Sequence, residues 1–193
     1  MQEQKEDMIT ACDIDDTIID LLTAGTTWLN NEYHYNICPE DITEWEIEKF
    51  YPNLTDDQVF RPLHLEEFWK TVKPLEDAIK YLSLLNEEGF TIYIVTSSSI
   101  HSLRYKQQFI LNKYFPFISH KNIIVSHNKH LIRCSVLVDD AIHNISGPYI
   151  GLLKDSPHNR SFDKTTAEGT VYRVMNWKEV YEMIHKILEG MSK

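Results

Sequence analysis

Met8-Ile9-Thr10-Ala11-Cys12-Asp13-Ile14-Asp15-Asp16-Thr17 carries the pattern from which the architecture of this chain follows. Met8 to Cys12 is a short, largely apolar run, and it stops abruptly at a cluster of acids closed by a threonine. That pattern predicts a buried strand running into a polar loop. Downstream, the same design recurs twice. Phe90 to Val95 is a β-rich run that ends in Thr96-Ser97-Ser98-Ser99, and Ser135 to Val138 ends in Asp139-Asp140. Three strands thus finish in polar tips.

The intervening segments are helical in period. Ile18 to about Tyr33 reads as a helix. Pro74 opens another, with Leu75, Ala78, Ile79, Leu82 and Leu85 on one face and Gly89 ending it. A further helix follows Ser99 to about Tyr114, and Asn176 to Leu188 forms the last. Ile123–Val125, Tyr149–Leu153 and Val171–Val174 are additional short strands. Strands alternating with helices predict an α/β fold, a Rossmann-like parallel sheet with helices on both faces. The stretch from about Asn36 to Val72 departs from this rhythm. It is rich in acids and aromatics and is cut by Pro39, Pro52 and Pro62 into short pieces. It reads as a small helical cap inserted after the first strand. The expected organisation is a core of residues 1–19 and 74–193 with a cap of residues 20–73.

The chain has 193 residues, 42% hydrophobic and 25% charged, with a formal net charge of -10. That length suits one domain with a substantial core. The negative field disfavours nucleic-acid polymers as partners, and it requires any site for a small phosphate to carry its own cation and donors. Cys12, Cys38 and Cys134 form no CxxC pair and suggest free thiols rather than a disulfide framework. The opening residues are too polar for a secretory signal, and no apolar run reaches the length of a membrane span. A cytoplasmic protein without a membrane partner is expected. No feature sets an oligomeric state.

In an open α/β sheet, the carboxyl ends of neighbouring strands line one crevice. The three polar tips therefore meet there, bringing Asp13, Asp15 and Asp139 near Thr96 and Ser97. Crowded carboxylates raise one another's pKa, and an oxygen-only donor set that resolves the conflict points to Mg²⁺. Asp13 is the candidate nucleophile toward phosphorus. Asp15 can protonate the leaving oxygen and later take a proton from water. Thr96 and Ser97 are candidate phosphate-binding hydroxyls. Lys129, between the second and third tips, could neutralise both Asp13 and a phosphoryl group.

This ordered set resembles the haloacid dehalogenase superfamily. Its DxDxT motif is Asp13-Ile14-Asp15-Asp16-Thr17, its strand ending in Thr or Ser is Ile92 to Thr96, its lysine is Lys129, and its strand ending in two aspartates is Val136 to Asp140. The resemblance implies Asp13 as nucleophile and metal ligand. It also implies Asp15 as a ligand through its carbonyl, Asp139 as a ligand, and Asp140 acting through water. A second aspartate at position 15 is similar to the phosphatases and phosphomutases of that superfamily. The chain as a whole resembles the 5′(3′)-deoxyribonucleotidases, with Asn144, Pro157-His158-Asn159-Arg160 and Asn176-Trp177 adding to the likeness. That implies a small phosphate monoester as substrate, specifically a nucleoside monophosphate. Phe50, Tyr51, Phe68 and Trp69 are then candidates for stacking a base.

Simpler roles stand beside these. An Asp-Asp pair after a strand often only caps a helix. Asp16 and Thr17 are read as loop-ordering residues, Ser97 to Ser99 as an N-cap, Arg104 as a surface charge, Arg160 as serving either the phosphate or the surface, and the cap aromatics as a mini-core. Competing functions are a sugar-phosphate phosphatase or phosphomutase, a receiver domain phosphorylated on aspartate, and a non-catalytic binding protein. In a receiver the acidic pair comes first and the lysine last, which is not the order here.

Overall fold

The computed structural model describes residues 8–163 and 169–191. The polar opening Met1 to Asp7 lies outside the described residues. Six strands form one parallel sheet: β1 (Ile9–Cys12), β2 (Thr91–Thr96), β3 (Ile123–Val125), β4 (Val136–Asp139), β5 (Ile150–Lys154) and β6 (Val171–Val174), in the order β3-β2-β1-β4-β5-β6. The first strand is central. Cys12 registers with Ile94 on one side and Val138 on the other, so Asp13 emerges between the tips of β2 and β4.

Period-two alternation sorts the strand residues onto two faces. Cys12, Ile94, Val136 and Val138 point to the larger core, and Ala11, Val95 and Leu137 to a smaller one. The helices are α1 (Leu21–Tyr33), α2 (Asp56–Phe60), α3 (Glu66–Trp69), α4 (Ala78–Glu87), α5 (Ile100–Tyr105), α6 (Asn112–Tyr114), α7 (Ile142–Ile145) and α8 (Trp177–Met191). The larger core takes Ala78, Leu82 and Leu85 from α4 and Trp177, Val180 and Ile184 from α8, all but fully buried. Burying side chains of this size contributes roughly 1.5–3 kcal/mol each for the larger ones. The smaller core is closed by Tyr149, Ile132 and Cys134 instead of a long helix. The links from β3 to β4 and from β4 to β5 are short, which leaves room on that side for little more than turns and α7.

Two local features differ from the sequence-based expectation. The helix expected from Pro74 begins only at Ala78, because Ile19 and Pro74 form an antiparallel bridge that keeps the chain extended there. Between α5 and α6 the chain forms a π-helical turn, Lys106–Leu111. Gly89, at φ 88°, ends α4 in the left-handed conformation that favours glycine.

The segment leaving at Asp20 and returning at Lys73 crosses at one place: Asp20 N donates to Lys73 O at 2.9 Å, and Leu75 N to Ile18 O at 3.0 Å. Within it, Leu29, Tyr51 and Val59 form a separate buried cluster, with Tyr35, Ile47 and Phe50 packed against it. Its last residues, Phe68, Trp69 and Val72, belong to the larger core.

Candidate active site

The site begins with the turn after β1. Asp13 N donates to Val138 O at 2.9 Å, extending the β1–β4 pairing by one residue and fixing the Asp13 side chain beside the β4 tip. Ile18 N and Ile19 N both donate to Ile14 O. Asp16 adopts a left-handed conformation, φ 51°, and its Oδ1 accepts from Leu22 N at 2.7 Å, holding the entry to α1. Such a conformation is uncommon outside glycine, and aspartate is among the residues that tolerate it. Thr17 Oγ1 donates to Asp140 Oδ1 at 3.2 Å, and Thr17 O accepts from Trp177 Nε1. Loop-ordering is what these two residues do.

Carboxylate oxygens of Asp13, Asp139 and Asp140 lie within 4.8 Å of one another, and all three residues are buried. Lys129 sits among them, 2% exposed, with Nζ 2.5 Å from Asp13 Oδ1 and 2.6 Å from Asp139 Oδ2. The other Asp139 oxygen accepts from Ala141 N at 2.9 Å. Asp140 is bracketed by Thr17 and by His158, whose Nε2 is 3.2 Å from Asp140 Oδ2. Asn159 Nδ2 donates to the Asp140 carbonyl at 2.8 Å.

One lysine does not balance three buried carboxylates. Burial, joined by the charges of Asp139, Asp15 and Asp140, pushes Asp13 up to about 8 despite Lys129. Burial and the Asp139 charge push Asp140 up to about 8 as well. Burial works against the Lys129 ammonium, yet Asp13 and Asp139 outweigh it and hold its pKa above the usual lysine value. A surplus of negative charge on oxygen donors is what a hard divalent cation relieves, so the donor set fits Mg²⁺.

Asp15 turns away from this trio: its Oδ2 is 2.5 Å from Lys106 Nζ. Thr96 is buried, with Oγ1 2.8 Å from Ser98 Oγ. Ser97 is exposed and its Oγ donates to Ser126 O at 3.2 Å. Asp13, Asp15, Ser97, Lys129, Asp139 and Asp140 all line one cavity of about 550 Å³, and Thr96 lies behind it at the β2 tip.

The cavity's far wall is apolar and comes from the segment between β1 and α4: Leu21, Leu29, Ile42, Trp45, Ile47, Val59 and Phe60 among others. This corrects the expectation for the aromatics. Tyr51, Phe68 and Trp69 are fully buried, and Phe50 packs into the cluster around Tyr51. None of the four lines the cavity; Trp45 and Phe60 do. Trp45 is 53% exposed and meets His143 and His158 edge-on, with ring centroids 4.8 and 5.1 Å away. Arg160, open in the sequence between the phosphate and the surface, does not line the cavity and pairs with both Asp155 and Glu40. Burial lowers the pKa of both His143 and His158. Lys106 carried no signal in the sequence, since a lysine on a helix is ordinarily exposed. His158 was visible only as part of a family-like string.

Residues 7–189 match the family described as "5′ nucleotidase, deoxy (Pyrimidine), cytosolic type C protein". A 5′(3′)-deoxyribonucleotidase of Bacillus subtilis (strain 168) is 33% identical over 175 residues, covering 89% of this chain and 95% of that protein. One from Clostridium acetobutylicum is 32% identical over 179 residues, covering 86% and 89%. Among solved structures, a haloacid dehalogenase family hydrolase from Deinococcus radiodurans R1, with bound phosphate and sodium, superposes with a TM-score of 0.64. It shares 14% identity and covers 96% of this chain and 98% of that one.

Proposed function

The chain belongs to the 5′(3′)-deoxyribonucleotidase family of haloacid dehalogenase phosphatases, and from that premise we propose that it hydrolyses deoxyribonucleoside monophosphates through a phospho-aspartyl intermediate on Asp13. The observation that carries the reading is the buried Asp13–Asp139–Asp140 trio around Lys129 at the floor of an apolar, aromatic-lined cavity. A phosphate would sit at the acidic floor, and a flat base would lie against the apolar wall. The segment of residues 20–73 acts as the cap over that cavity. Its own buried cluster and its paired crossing at Asp20 and Lys73 support this division from the core of residues 1–19 and 74–193.

Asp13, Asp139 and Asp140, with the Asp15 carbonyl, would hold Mg²⁺, which when bound supplies the positive charge that lets an acidic site accept a phosphate. Lys129 engages one Asp13 oxygen, and the other attacks phosphorus in line with the leaving oxygen. The Asp13 O–P bond forms as the P–O bond to the nucleoside breaks. Asp15 gives its proton to the departing oxygen. In the second half, water attacks the acyl phosphate, its proton passes to Asp15, and Asp13 is released as a carboxylate with inorganic phosphate. Thr96 and Ser97 contribute hydroxyls toward the phosphoryl oxygens, and Lys129 offsets their charge.

The test is a panel of dUMP, dTMP, 3′-nucleotides and hexose phosphates assayed with and without Mg²⁺. The best rate should fall on a deoxynucleotide and vanish with EDTA; a best rate on a hexose phosphate overturns the substrate assignment. Asp13→Asn should abolish turnover while leaving nucleotide binding measurable by calorimetry. Near-normal turnover in that variant would reassign the nucleophile.

A further inference from the structure

Lys106 is 2% exposed, and its ammonium meets three groups. Nζ is 2.5 Å from Asp15 Oδ2, 2.5 Å from Ser98 Oγ, and 5.6 Å from the centre of the buried Trp69 ring. Ser98 Oγ lies in turn 2.8 Å from Thr96 Oγ1. A buried ammonium without partners is costly, and this one satisfies itself on the two polar strand tips. Lys106 also opens the π-helical turn Lys106–Leu111. A π turn is rare and is often found at functional sites, where it shifts a side chain off the regular helical register.

From this geometry we infer that Lys106 is a positioning residue for the proton-transfer group. It grips one Asp15 oxygen and leaves the other, Oδ1, buried and without a hydrogen-bond partner among the described residues. By fixing Oδ2, the ammonium sets the rotation of the carboxyl group through which the proton must pass. This inference rests on Asp15 being the acid of the first half-reaction.

The test measures the rate of leaving-group release in the first turnover for two substrates. Nucleoside release from dUMP needs a proton, whereas p-nitrophenolate departs without one. Lys106→Met keeps the volume and removes the grip. Misplacing a catalytic group by about 1 Å costs on the order of 10²-fold. Nucleoside release should therefore slow by about that factor, p-nitrophenolate release by less than about threefold, and KM for dUMP should barely move. The double variant Asp15→Asn/Lys106→Met should be no slower than Asp15→Asn alone, since Lys106 acts through Asp15. Equal losses on both substrates, or additive losses in the double variant, overturn the inference. Should Lys106→Met fail to fold, Ser98→Ala removes one anchor, and a smaller loss with the same substrate dependence is expected; an equal loss on both substrates overturns the inference there too. Asp15→Asn assayed alone separates the two levels: if it slows both leaving groups alike, the acid assignment falls and takes Lys106 with it.

Discussion

Lys129 faces Asp13 and Asp139 at hydrogen-bond distance from both, and nothing else of positive charge reaches that pair directly among the described residues. Lys129→Met should lower kcat by about 10²–10³-fold, the usual cost of removing a charge-stabilising group. Without metal it should also destabilise the fold by about 3–5 kcal/mol, because two buried carboxylates lose their partner. Urea unfolding in EDTA measures the second effect. The same crowding gives the wild type a pH signature. Asp13 and Asp140 are pushed to about 8, against 3.8 for an ordinary aspartate. The folded protein thus holds protons between those values that the unfolded chain has released. Metal-free stability should fall as pH rises through that window, and saturating Mg²⁺ should remove the fall. A urea midpoint in EDTA that is flat from about pH 5 to pH 8 would contradict this. Legibility at this scale follows from chain position. Asp13, Thr96 and Asp139 end strands, and strand ends in such sheets share a crevice, so their meeting could be read directly. Lys106 and Trp45 could not. The grip of Lys106 on Asp15 depends on where a π turn falls, and the place of Trp45 on how an irregular segment folds back. Neither leaves a periodic trace.

At the scale of elements, β5 runs against α7 with no room between them. A Cβ on Gly151 would meet Ile145 O at 2.3 Å and Ile145 Cγ1 at 2.9 Å. The nearer contact is backbone and cannot swing aside. Gly151→Ala should therefore cost about 1–3 kcal/mol, as overpacking does. For a chain of this size that lowers Tm by roughly 2–4 °C per kcal/mol, readable by calorimetry. The strands were legible from composition to within a residue or two because buried parallel strands are nearly continuous apolar runs. The start of α4 was not. Pro74 and Leu75 fit a helical face, but Leu75 N is already committed to Ile18 O, a partner more than fifty residues away in sequence. Long-range pairing of that kind overrides local propensity and is invisible in a local window.

Across the whole molecule, the cavity is made by two parts of the chain, joined through Phe68, Trp69 and Val72 in the larger core. The acidic floor comes from the strand tips and the apolar wall from the segment returning at Lys73. Trp45 bridges them, touching His143 and His158 while still half exposed. Trp45→Ala should leave Tm within about 1 °C, as exposed substitutions do. It should raise KM for a nucleotide by about tenfold, the loss of roughly 1.4 kcal/mol of contact. Hydrolysis of p-nitrophenyl phosphate should be much less affected; a matching rise in KM on that substrate would mean that the indole serves the phosphate and not the base. The sheet order has one more consequence. The nucleophile's strand pairs with β2 on one flank and is completed on the other only when β4 arrives, some 120 residues later in synthesis. A chain still emerging from the ribosome owns its attacking carboxylate long before it owns the partners that discipline it. The catalytic cluster therefore cannot close before β4 has docked beside β1, and it is lost when that pairing opens.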